Sequence, residues 1–246
     1  MKKLTNFDFA ILIPVFHNKD KIKPLKDEIV KHLSKYKYFV CFVDDSSDNE
    51  TQNEIEKTFS NNFHVLKRIK KEKFSTRFSA SLDGFKWLKN NVDTNYIVEI
   101  DSDLAHHPKD IENGIELLKS SNCDLVIGSK YHKESIVKNR KVSRIFISKF
   151  ITLTCKILFD KNISDYSNTF RFYKLSLVEN FINREIVFKS PIGHLNNLLF
   201  IIKSGNQIKD IPTSYIETDA ESAIKTSSLV RYLIEFIKCI IFNKFK

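Results

Sequence analysis

The sequence predicts an α/β protein organised as a doubly wound, mostly parallel sheet with helices on both faces. Two observations carry that prediction. Five strand-like apolar runs alternate with helical patterns through the first half of the chain, and acidic clusters directly follow two of those runs. Phe9 to Val15 is near-continuously apolar, as a strand buried on both faces requires. Helical spacing follows from Ile22 to Leu33, with Pro24 in the first turn, where a missing N–H costs little. Tyr38 to Val43 reads as the second strand, and Asp44-Asp45-Ser46-Ser47-Asp48 after it is a helix-starting cluster. A polar helix through Ile55 and Phe59 leads to a strand at Phe63 to Leu66. A helix around Ala80 to Leu88, a strand at Tyr96 to Ile100, a helix opened near Pro108 and a strand at Asp124 to Ile127 complete the alternation.

The second half is less regular. It predicts a long helix from about Val142 to Phe159, a strand near Thr169 to Tyr173, a helix around Leu195 to Lys203, a short strand at Ile208 to Ile211 and a terminal helix. Neither an internal repeat nor a low-complexity linker interrupts the chain. Residues 1–225 are therefore read as one domain and residues 226–246 as an amphipathic C-terminal helix.

Composition excludes several classes of function. The 246 residues contain five glycines, where roughly 7% usage would give about seventeen, and these five stand far apart. Neither G-x-G-x-x-G nor a glycine-rich phosphate loop can be written, so any phosphate must be held by cations, a metal or helix ends. The four cysteines lack C-x-x-C spacing and sit among apolar residues, as reduced core residues do. Lys2 and Lys3 precede an apolar stretch, but Pro14, the following His17-Asn18-Lys19-Asp20 and the lack of a small-residue cleavage site argue against a signal peptide. No apolar run reaches the ~18 residues of a spanning helix, so a soluble or peripheral protein is expected. The net charge of +10 suits an anionic membrane surface or a phosphorylated substrate, and equally a lysine-rich solvated surface. Nucleic acid is not expected as a partner, because basic and aromatic residues do not interleave.

Chemistry centres on Ile100-Asp101-Ser102-Asp103-Leu104. Two carboxylates one residue apart at a strand end can both reach one hard divalent cation, Mg²⁺ or Mn²⁺. Alone, the pair fits a strand-end turn as well. Asp101-Ser102-Asp103-Leu104-Ala105-His106-His107-Pro108, however, resembles the D-x-D-x-x-H-x-P segment of family-2 glycosyltransferases, especially the dolichol-phosphate mannosyltransferase group. Val43-Asp44-Asp45-Ser46-Ser47-Asp48 is similar to that family's V-D-D-G-S-x-D, and Gly128-Ser129-Lys130-Tyr131 to its G-S-R-Y. Arg140 to Arg144 resembles its R-x-x-S-R, Asp165 to Tyr173 its D-x-T-S-G-F-R-x-Y, and Asp210-Ile211-Pro212 its E-V-P. Six segments in the family's order span about residues 9 to 225.

The resemblance implies a GT-A fold and transfer of a sugar from a nucleotide-sugar donor, probed by its own residue assignments. Pro14, Phe16, Asp44, Asp45, Arg77, Asp101 and Ser102 would bind the nucleotide sugar. Asp101, Asp103 and Asn197 would hold Mg²⁺ or Mn²⁺, with Asp101, Asp103 and His194 as catalytic residues. Arg140, Arg144 and Arg171 would grip the phosphate of a polyprenyl-phosphate acceptor at the cytoplasmic membrane face. Such an acceptor is already an anionic nucleophile and needs no general base; a sugar-hydroxyl acceptor in surface-polysaccharide synthesis would need one, and His194 stands where the family often places it. A silent member that binds nucleotide or lipid is the third reading. His106 and His107 are read as shaping the turn before Pro108.

Departures from the family pattern are specific. Pro14-Val15-Phe16-His17-Asn18 lacks the family's acidic residue, and Thr76-Arg77-Phe78-Ser79-Ala80 is bulky where glycines are usual. Thr218 to Ala223 lacks the cations of the family's last loop, leaving Lys225 as a substitute. Leu229, Leu233, Phe236, Ile237 and Ile240 form one apolar face of the terminal helix, opposite Arg231, Glu235 and Lys238. That face suits peripheral membrane contact, and equally docking on the core or on a second subunit.

Overall fold

A computed structural model describes residues 3–68, 76–160, 162–188, 190–218 and 229–245. Its central sheet has seven strands, flanked by helices on both faces. In chain order the sheet strands are β1 (Phe9–Val15), β2 (Tyr38–Asp44), β3 (Phe63–Lys67), β4 (Tyr96–Glu99), β5 (Leu125–Ser129), β7 (Arg171–Lys174) and β8 (Ile208–Pro212). A separate two-stranded parallel ribbon joins β6 (Ile136–Lys138) to β9 (Ser214–Ile216). The helices are α1 (Lys19–Leu33), α2 (Glu50–Thr58), α3 (Arg77–Asn91), α4 (Asp110–Ser120), α5 (Val142–Leu158), α6 (Leu175–Phe181), α7 (Ile192–Lys203) and α8 (Leu229–Phe245).

Strand order is β3-β2-β1-β4-β7-β5-β8. Neighbouring pairs are parallel except where β7 runs antiparallel between β4 and β5. The chain steps outward from β1 to β2 and β3, then returns to place β4 on the other side of β1. That reversal opens a crevice beyond the carboxyl ends of β1 and β4, the place where open α/β sheets bind ligands.

Pro14 helps to make this crevice. Leu12 O accepts the Ile100 N–H, so even-numbered residues of β1 direct their backbone groups toward β4. Pro14 shares that parity, one step past the last β1–β4 pair, Leu12 with Glu99. Its missing donor therefore costs no ladder bond, and the two strands part at that point. On the other side β1 stays paired with β2 to Val15, and Asp45 N donates to Val15 O at 3.1 Å.

Two apolar layers sandwich the sheet. Leu12, Cys41, Phe85, Leu88 and Leu198 belong to one, and Ile11, Ile13, Ile29, Phe42, Ile115 and Phe172 to the other. Alternate residues of each strand serve opposite faces, which is why these strands read as unbroken apolar runs. All four cysteines are buried and unpaired, in line with a core role. Glycines mark close approaches of helix to sheet. A methyl group at Gly84 would overlap Leu12 and stand 2.8 Å from Val43 Cγ2, and one at Gly114 would overlap the Phe172 ring.

The terminal helix divides the face expected from its sequence. Phe236, Cys239 and Asn243 are buried, and Asn243 Nδ2 donates to Asn196 Oδ1 of α7 at 2.8 Å, so this side is docked on the protein. Ile240 is partly buried with them, while Leu233 and Ile237 face outward with Val230, Ile234, Ile241 and Phe245. Phe150 of α5 lies 6.0 Å from Phe236 between ring centroids, so α5 and α8 run near one another. Val142, Phe146, Phe150, Leu153 and Ile157 form an exposed apolar row on α5.

Replacing Gly114 by Ala should overpack the contact with Phe172 and cost about 1–3 kcal/mol. The loss would appear as a lower urea midpoint with an unchanged m-value.

Candidate active site

The two aspartate clusters meet on the rim formed by β1, β2 and β4. The turn after β4 is shaped locally. Leu104 adopts φ 63°, in the left-handed region, and Asp103 Oδ1 accepts the Ala105 N–H at 2.9 Å, closing the backbone around it. A leucine held there costs about 1–3 kcal/mol, a strain characteristic of functional turns. Ser102 is buried, and its Oγ accepts from Asn18 Nδ2 at 2.6 Å, tying the turn to the residue that precedes α1. Asn18 thus joins the start of α1 to the aspartate turn through a neutral hydrogen bond.

Arg77 opens α3 and dominates the electrostatics. Thr76 caps the helix, and Ser79 completes a reciprocal capping box. Arg77 Nε donates to Asp101 Oδ1 at 2.6 Å, while Nη1 reaches Glu99 Oε1 at 3.0 Å and His194 Nε2 at 3.0 Å. Its remaining nitrogen, Nη2, is buried without a hydrogen-bond partner among the described residues. Glu99 is completely buried and also accepts from Ser81 Oγ at 2.5 Å and Tyr173 Oη at 3.2 Å. Burial works against charge on Arg77, but Asp101 and Glu99 outweigh it and hold the guanidinium ionised.

The paired carboxylates have unlike environments. Burial lifts the Asp101 carboxyl, yet the charge and hydrogen bond of Arg77 overcome that effect and hold it below the usual range. Asp103 is lifted above its ordinary value, first by burial and then by the charge of Asp101. Its Oδ2 accepts from Thr218 Oγ1 at 3.1 Å. Two oxygen donors in mutual repulsion fit a hard divalent cation, which relieves both the repulsion and the desolvation. Asn197 is buried on α7.

Asp44 and Asp45 carry their own counter-charges. Asp44 is fully buried, accepting from Lys67 Nζ at 2.8 Å and Ser46 N at 2.8 Å. Asp45 accepts both carboxylate bonds from Arg68 Nη1, at 3.0 and 2.9 Å. Arg68 Nη2 also donates to Ser79 Oγ at 3.1 Å, so a single turn of α3 links Asp45 to the Arg77–Asp101 pair. Phe16 is exposed at the end of β1, its ring 4.5 Å from that of His17. Pro14 lies in the interior.

Two expected roles change. Arg171 is buried, its Nε donating to Asn168 O at 2.8 Å and its Nη1 to His194 O at 3.1 Å, so it frames the site from within and offers no group to an acceptor phosphate. His194 accepts from Arg77 through Nε2, since a guanidinium carries only donors. Burial, with Arg77 and Arg171 beside it, drives the imidazole well below its ordinary pKa. A ring so poorly basic, with that lone pair committed, is unsuited to general-base work.

Arg140 and Arg144 are brought together at the start of α5. Arg140 Nη1 donates to Tyr131 Oη at 2.9 Å and Nη2 to Ser148 Oγ at 2.8 Å, with its Nε buried and unpartnered among the described residues. Arg144 lies 2.9 Å from Glu217 Oε1. Lys130 is buried, 2.9 Å from Asp165, and lies over the Tyr215 ring, as Arg140 does. Glu99, Lys67, Arg68 and Tyr215 were not expected. A charged residue within the apolar run Tyr96 to Ile100 was the available signal for Glu99. The segment from Asp219, including Lys225, lies outside the described residues, as does the side chain of Leu229.

Residues 10–182 match the family model described as glycosyl transferase family 2. The chain belongs to glycosyl transferase family 2. Among the family's curated relatives, a dolichol-phosphate mannosyltransferase of Pyrococcus furiosus is 28% identical over 228 residues, 91% of this chain and 61% of that protein. The chain therefore spans less than two thirds of the Pyrococcus protein. An undecaprenyl-phosphate mannosyltransferase of Micrococcus luteus is 25% identical over 195 residues, 78% of this chain and 77% of that protein. Glucosyl-3-phosphoglycerate synthase from Mycobacterium tuberculosis, crystallised with Mn²⁺, uridine diphosphate and phosphoglyceric acid, superposes with a TM-score of 0.69. It shares 11% identity, with 97% of this chain and 79% of that chain covered. That likeness shows the fold, which is the expected GT-A architecture.

The buried imidazoles make stability depend on pH. Burial and Lys130 push His106 down to about 3, and His194 is likewise neutral. Below pH 6.5 the unfolded chain binds protons that the folded chain refuses, so stability should fall from pH 6.5 to 5, each histidine contributing a slope approaching about 1.4 kcal/mol per pH unit. Urea unfolding across that range should show the slope, and His106→Gln should remove one histidine's share of it and leave that of His194.

Proposed function

We propose that this family-2 protein transfers a sugar from a nucleotide-diphosphate sugar to a polyprenyl phosphate at the cytoplasmic face of a membrane. The observation that carries the reading is the D-x-D carboxylate pair at the sheet's switch-point crevice, with Arg77 beside it. Asp101 and Asp103 would hold Mg²⁺ or Mn²⁺, and a bound cation offsets the negative charge that develops on a departing diphosphate. Arg77, whose Nη2 has no partner among the described residues, would add a donor to a phosphate oxygen at the same place. Phe16 and Asp45 would border the nucleoside, with Asp44 holding the turn beneath.

Arg140 and Arg144 would hold the acceptor phosphate. Its oxygen is ionised near neutral pH, so attack on the sugar carbon requires no proton removal by the protein. The character of His194 supports this reading over transfer to a sugar hydroxyl, and the polyprenyl-phosphate names of the Pyrococcus and Micrococcus relatives point the same way. Inversion at the sugar carbon follows from a single direct displacement.

Membrane contact would be made by the exposed apolar rows of α5 and α8. No helix among the described residues is long and apolar enough to cross a membrane. Phe146 is 70% exposed and Ile157 68%, on α5, whose start lies beside Arg140 and Arg144, with Lys149 and Lys238 exposed nearby. This arrangement would place the basic cluster at headgroup level with the apolar rows in the acyl boundary.

The deciding experiment supplies nucleotide-sugar donors and a polyprenyl phosphate with Mn²⁺ and analyses the product. An acid-labile lipid phosphosugar, lowered by about 100-fold or more in Asp103→Ala, is expected. A stable glycoside would establish the hydroxyl acceptor instead, and absence of transfer with every donor would favour a silent binding member. In flotation with anionic vesicles, Phe146→Ser combined with Ile237→Ser should weaken binding about tenfold or more, since each buried side chain contributes about 1.5–3 kcal/mol.

A further inference from the structure

One cluster of metal-ligating side chains lies outside the residues used above. Glu28 and His32 stand one turn apart on α1, and His107 reaches them from the segment between Asp103 and α4. Glu28 Oε2 is 3.1 Å from His32 Nε2 and 3.4 Å from His107 Nε2, and the three ligand atoms all lie within 4.8 Å of one another. Lys31 Nζ donates to Oε1 at 3.2 Å and, at 3.4 Å, to Oε2, which also faces both rings. The rings meet edge to face with centroids 5.3 Å apart. Each of the three side chains is between 27% and 30% exposed, held by its neighbours yet open to solvent.

The geometry points to a zinc-class transition-metal site formed by Glu28 Oε2, His32 Nε2 and His107 Nε2, with the fourth position left to water. Bonds of about 2.0–2.1 Å in a tetrahedron separate ligand atoms by roughly 3.3–3.4 Å, close to both histidine–glutamate separations. Two imidazoles and one carboxylate suit Zn²⁺ or Co²⁺ better than Mg²⁺, in contrast to the all-oxygen pair Asp101 and Asp103. Burial lowers the His107 pKa, so its ring is neutral and able to ligate at neutral pH.

The competing arrangement is a carboxylate receiving two ring N–H groups, and the difference lies in the protons. Metal ligation uses both Nε2 lone pairs, so each neutral ring must carry its proton on Nδ1. His107 Nδ1 accepts the Lys109 N–H at 3.2 Å, and ligation exchanges that bond for one from Lys109 to water, which its exposed position permits. A bound ion would cross-link α1 to the segment following Asp103. His107 would then fix the aspartate turn from below as well as shaping the approach to Pro108.

The test uses the full chain carrying Asp101→Asn and Asp103→Asn, so that the oxygen pair makes no contribution, titrated with Zn²⁺ and with Co²⁺. Binding of one ion per chain with the visible absorption of tetrahedral Co²⁺ is expected, and both should be lost with His32→Ala or His107→Gln. The unsubstituted chain in excess Mg²⁺ should give the same Co²⁺ spectrum, which covers any failure of the aspartate variants to fold. Absence of that absorption in the unsubstituted chain, or ion binding that survives either histidine substitution in a folded variant, would overturn the site.

Discussion

A carboxylate sealed from water must be answered by a cation and by hydrogen-bond donors, and the aspartate turn rests on how Glu99 is answered. Arg77 supplies the charge, and Ser81 and Tyr173 supply further donors. These partners come from α3 and β7, so one buried charge fastens two elements to the end of β4. The guanidinium bound to Glu99 also reaches Asp101 and His194. It thereby keeps the first aspartate of the pair ionised, and it adds to the burial that keeps the histidine neutral. Burial and this ion network together set the pKa pattern of the crevice.

The same economy governs the remaining charges of the rim. Asp44 and Asp45 are compensated by Lys67 and Arg68, which stand at and just beyond the end of the adjacent strand β3. Parallel pairing makes this possible, because neighbouring strands end on the same side and bring their terminal residues together. Asp103 is the exception, with a carboxyl lifted first by burial and then by Asp101, and that lift is what favours the proposed cation over a set of helix caps. Farther along the rim, Arg140 and Arg144 gather at the start of a helix whose outer face is apolar. The proposed chemistry of donor and acceptor therefore occupies two ends of one surface, with opposite local charge.

Much of the fold was legible because burial on both faces leaves an unmistakable record in β1, β2 and β5. Helix starts were less so. The pattern from Ala80 to Leu88 omitted the first turn of α3, since Thr76 and Ser79 act through capping bonds and not through apolar spacing. The ribbon of β6 and β9 went unseen because three-residue strands such as the exposed β6 carry no periodicity and exist only through their pairing. The direction of β7 was equally illegible, as a short apolar run reads the same in either direction.

By itself the sequence determined the alternating α/β order, the positions of the acidic pairs at strand ends and the membership of the family whose motifs they match. Those features are local, or depend on residues close together in the chain. Only the tertiary structure decided that Arg171 is spent inside, that His194 is silenced by burial and by Arg77, and that part of the terminal helix's apolar face is docked through Phe236, Cys239 and Asn243. Each of these depends on which distant group comes within a few ångströms, and on how much water remains beside it. The chain order of residues does not encode either quantity until the sheet and its helices have closed.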